Sequence, residues 1–88
     1  MTYKEMPNHK LEEEGMKLFG RLMGFTIKVS RKTKLLPEDI VKATDILDAV
    51  EQFLEATKER PALRRYYDSL NSMLPELRSK VPRPPAVN

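Results

Sequence analysis

The chain has no cysteine and no tryptophan, and its 88 residues include only three glycines and a single histidine. Without cysteine there are no disulfide staples, thiolate zinc sites or thiol chemistry, so a domain this small must be held by packing or by a partner. The lone histidine, His9, has Glu12 and Glu13 three and four residues further on, a spacing that sets ligands on one helical face. With no second histidine this group falls short of a metal centre. Glycine is too sparse for a phosphate-cradling loop, and neither a nucleophile elbow nor an EF-hand spacing occurs. Carboxylates are frequent between Glu38 and Glu59, but acids strung along a solvated helix lack the pocket that shifts a pKa for acid–base work. The sequence therefore predicts no enzyme, with no catalytic residue, metal, cofactor or small-molecule substrate.

Long apolar runs are missing as well. The best window is broken by Lys17, Arg21 and Lys28, well short of the ~20 apolar residues a spanning helix needs. Met1 to Lys10 has no apolar stretch behind a basic start, so no secretory signal is expected and a cytoplasmic address follows. A basic amphipathic first helix has the pattern of a membrane-surface element. The apolar faces of the other helices need that same face, so membrane docking is not expected.

What is present is a charged, moderately apolar composition, 33% charged and 40% hydrophobic, the signature of one small globular domain. At this length folding hides only roughly 60–65% of the unfolded surface. The net charge of +3 is unevenly laid out. Residues 1–27 are balanced, 28–34 carry four cations and no acid, 35–59 hold seven acids against two cations, and 60–88 hold six cations against two acids. An acidic block between two basic ones invites pairing within the chain or with a second copy.

Periodicity gives an all-α reading: a small three-helix bundle with extended terminal tails. Residues 1–7 end in Pro7 and read as a flexible arm, and Asn8 is a natural N-cap for a first helix over 8–29. Alternation over Phe25–Ser30 also fits a strand, but the helical wheel carries Ile27 and Val29 onto the apolar face. Gly20 and Gly24 have small-xxx-small spacing and are expected to mark a kink or a helix end. A basic loop, Ser30 to Lys34, precedes a second helix over 37–58 that starts at Pro37 with two acids beside it. In that loop a phosphate on Ser30 or Thr33 would cancel part of the charge. Pro61 opens a third helix over 61–74, which Pro75 ends or kinks, leaving at most a short fourth turn. The domain is expected to span 8–80, and residues 81–88 read as a Pro-rich tail with a PxxP-like segment.

Two surfaces stand out. The apolar arc of the first helix spans about 200° on the wheel, more than two neighbouring helices need. Its surplus predicts a protein-binding or homodimer face, with Leu18, Phe19, Leu22, Met23 and Phe25 as anchors in helix-to-helix packing. The expected role is a regulator, adaptor or assembly factor. The acidic face of the second helix is a further candidate surface. The competing reading is a nucleic-acid accessory protein contacting phosphates through Arg31, Lys32, Lys34, Arg64 and Arg65, if those cations share one face.

Overall fold

The computed structural model describes residues 2–80. Three helices form the bundle: α1 (Asn8–Ser30), α2 (Pro37–Thr57) and α3 (Arg64–Lys80), with 3-10 turns at Tyr3–Glu5 and Pro61–Leu63. There is no strand among the described residues, and Phe25 to Ser30 is helical. The Pro-rich tail expected at 81–88 lies outside the described residues.

Each helix brings a stripe to one core. From α1 come Leu11, Leu18, Leu22, Phe25 and Val29, and from α2 Ala43, Ile46, Leu47, Val50, Phe53 and Leu54. Leu63, Leu70, Leu74 and Leu77 complete it from the third segment. At roughly 1.5–3 kcal/mol for each fully buried large apolar side chain, this shared core is the main force holding the helices together. The buried threonines do not disturb it, because Thr26 donates to the Leu22 carbonyl and Thr57 to the Phe53 carbonyl within their own helices.

Three local expectations are corrected. Asn8 is not the cap: the helix starts at it, Pro7 takes the capping position, and the Asn8 Oδ1 accepts a hydrogen bond from Arg60 Nη1. The glycines cause no break, since α1 runs through Gly20 and Gly24. Pro75 does not end α3, which continues to Lys80. Proline inside a helix costs about 3 kcal/mol, but Pro75 is exposed while Leu74 and Leu77 beside it are buried. Their burial outweighs the lost backbone bond.

The N-terminal segment, read as an arm, packs on the bundle as far out as Tyr3. The Tyr3 ring stands edge-on to Phe53 at 5.7 Å. Arg60 holds the segment in place, donating to the carbonyls of Met6 at 2.7 Å and Lys4 at 2.9 Å. Burial, and after it the nearby Glu14 carboxylate, pushes the Tyr3 phenol above its ordinary pKa.

Candidate interaction surface

The α1 sequence carries a 200° apolar arc, and the bundle covers only one side of it. Leu18, Leu22 and Phe25 lie inside, at 2%, 0% and 8% exposure, facing α2 and α3. These three are core side chains, so the expectation that they anchor a partner is replaced by a packing role. Phe19 is half-buried against the core, and Met23 is 40% exposed. Met16 and Ile27, which lie outside the expected anchor set, are 58% and 47% exposed. At about 100° per residue, Met16, Gly20, Met23 and Ile27 fall within about 60° of one another, a single stripe roughly 16 Å long. The signal for it was the width of the arc. What decided which half faces out was the placement of α3.

One edge of the stripe falls into a groove between α1 and α3. Gly15, Met16 and Phe19 face Tyr66 and Leu70 across it, with Arg65 and Ser69 at its rim, and its volume is about 360 Å³. Gly15 makes this approach possible. A Cβ there would stand 2.9 Å from Phe53 Cζ and 3.3 Å from Tyr66 Cβ, whereas at Gly20 and Gly24 it would meet nothing within 4 Å.

The cations divide differently from the expectation. Lys32 points back into the fold and pairs with Asp39, Nζ to Oδ2 at 2.7 Å. Asp39, 2% exposed, also accepts the Leu36 backbone N–H at 3.0 Å, satisfying the N-terminus of α2. The Lys32 ammonium, and next the Leu36 N–H, hold the Asp39 carboxyl below the usual carboxylate range. Arg64 lies over the Tyr67 ring at 5.6 Å and pairs loosely with Asp68 at 3.6 Å. Arg65 borders Met16 near the start of α1, while Arg31 follows its end. Fifteen residues of helix separate those levels, about 22 Å. The structure therefore does not bring Arg31, Lys32, Lys34, Arg64 and Arg65 to one place.

The acidic face of α2 is partly neutralised. Arg78 reaches Glu51 at 2.6 Å, and Lys58 reaches Glu55 at 2.8 Å. Among the described residues no group of three His, Asp or Glu side chains is arranged to hold a metal ion, and no helix is long and apolar enough to cross a membrane. Compared with known protein families, curated proteins and solved structures, the chain matches none.

Proposed function

We propose that this protein is a small non-enzymatic interaction module that docks on a protein through the outer face of α1. The observation that carries this reading is the line of Met16, Met23 and Ile27 exposed together on one helix face; Leu36 and Val41, the other large apolar side chains in solvent, lie away from that line at the start of α2. Single exposed apolar residues are ordinary, whereas several in one stripe beside an apolar groove mark a contact surface. The side-chain types fit as well. Methionine is unbranched and polarisable, and it adapts to a partner surface at little conformational cost. Leu18, Leu22 and Phe25, residues of defined shape, are turned inward. The phosphate-binding reading has less support, because its cations are dispersed and two of them are engaged within the fold.

The test is a photo-crosslinking amino acid placed at position 23, compared with the same residue at Ser72, which is exposed on α3. Protein adducts should form from position 23 in the cell of origin and not from position 72. Equal yields from both, or none from either, would remove the outer face of α1 as the docking surface.

A further inference from the structure

We infer that the occupant of this stripe is a second copy of the chain, laid antiparallel on the first about a two-fold axis level with residues 20–24. The inference rests on the outer stripe being the docking face. What selects a second copy is the way charge is distributed at the stripe's two ends.

Glu13 and Arg31 are separated by 18 residues, which is five full helical turns at about 100° per residue. They therefore stand on the same edge of the stripe, about 27 Å apart, the acid at its N-terminal end and the cation at its C-terminal end. Both are exposed, and neither side chain has a hydrogen bond or ion pair among the described residues. Lys32, Arg60, Arg64 and Arg78, by contrast, are all engaged. An antiparallel two-fold keeps each edge of the stripe against the same edge of its partner. It sets Glu13 opposite Arg31 of the other copy twice, Met16 opposite Ile27, and Gly20 opposite Gly24 and Met23. One register satisfies all of these, as an isologous interface requires. A parallel copy would put the two Glu13 side chains at one level and the two Arg31 side chains at the other, on opposite edges of the seam, so neither acid would meet a cation of this pair. Lys17, Arg21 and Lys28 lie further round the helix, outside the seam. The open space before Gly20 and Gly24 gives the two backbones room to approach and receives the Met23 side chain.

The area predicts how tight this pairing is. A face of 23 residues is about 34 Å long and about 10 Å wide, so roughly 350 Å² per copy is covered, less than half of the ~800 Å² per partner of a standard interface. Association is expected in the micromolar to millimolar range, sensitive to salt through its two end pairs.

Sedimentation equilibrium on the full chain, from about 10 µM to about 1 mM at low salt, tests it. The expected average mass climbs from the 10.2 kDa of one chain towards twice that value. Arg31→Glu should weaken association roughly tenfold by opposing like charges, and adding Glu13→Arg should restore it to within about threefold. Met23→Glu should remove it. Circular dichroism on each variant establishes that the helices persist; if Arg31→Glu lost its helical signal, Glu13→Arg alone applies the same test from the other end. A dimer that the charge exchange fails to rescue overturns the antiparallel arrangement. A monomer at every concentration overturns the second copy as occupant: if position 23 still crosslinks to another protein, the docking face stands, and if it crosslinks to nothing, both readings fall together.

Discussion

The two sides of α1's apolar arc are built from the same class of side chain and meet opposite fates. Leu18, Leu22 and Phe25 are sealed into the core, while Met16, Met23 and Ile27, each within two residues of one of them, stand in solvent. Hydrophobicity alone cannot account for the division. The division follows the glycines: at Gly15 the neighbours are so close that a single added carbon would collide with Phe53, and at Gly20 and Gly24 there is nothing to meet. Close approach at Gly15 draws Tyr66 of α3 to one side of α1, and at Gly20 and Gly24 the other side meets no neighbour among the described residues. Among the described residues no further helix covers it.

Adjacent residues give the largest break in that comparison. Leu22→Ala should cost about 2–5 kcal/mol of unfolding free energy, since the fully buried side chain leaves a cavity. Met23→Ala, measured by urea unfolding at low protein concentration, should stay within about 0.5 kcal/mol of the parent. A comparable loss at both positions would show that Met23 is covered in the monomer.

The glycines should differ in sign. An alanine in a helix interior gains about 1 kcal/mol over glycine, and Gly20→Ala should deliver most of that. Gly15→Ala should instead lose roughly 1–2 kcal/mol, because overpacking exceeds the propensity gain. Phe53 has little room to recoil, being fully buried and fixed by the Tyr3 ring. Thermal midpoints of the two variants on opposite sides of the parent would confirm the asymmetry, and two stabilised variants would refute it.

The helices themselves were legible because an opening proline and the 3.6-residue period act locally. Pro37 opens α2 as read, and the ends of α1 and α2 fall within one residue of expectation. What escaped the sequence depends on residues far apart in the chain. Asn8 resembles a cap, but its carboxamide serves Arg60, 52 positions away. Pro75 resembles a stop, but Leu74 and Leu77 are buried on either side of it. Tyr3 belongs to a segment with no period, yet it has Phe53 to pack against. For the surface, the width of the arc signalled an excess of apolar residues, and only the position of α3 told which side carried it. Of the five expected anchors, Leu18, Leu22 and Phe25 are taken by the core, Phe19 is half-buried, and only Met23 stands in solvent.

The loop after α1 repeats the division in charged form and supplies the smallest of the expected effects. Lys32 is drawn inward by Asp39, while its neighbour Arg31 is exposed and has no ion pair among the described residues. The Asp39 carboxyl is held below its ordinary pKa by Lys32 first and the Leu36 N–H second. The sign of the consequence follows from proton counting. Between the folded and unfolded values the unfolded chain binds more protons, so stability rises with pH there. The contribution is complete above the unfolded pKa, about 3.9, and is lost as the pH falls through the lower folded value. Asp39→Asn, whose carboxamide oxygen still accepts from Leu36, lacks the charge throughout. Its urea midpoint should lie below that of the parent near neutral pH, and the gap should close as the pH drops below about 4. Lys32→Met should reproduce that convergence, because it removes the other half of the pair. Arg31→Met should leave the pH profile of the monomer unchanged. If Arg31→Met altered the profile as Lys32→Met does, the loop would hold both cations in common, and the separation between an inward and an outward set would fail at its most polar point.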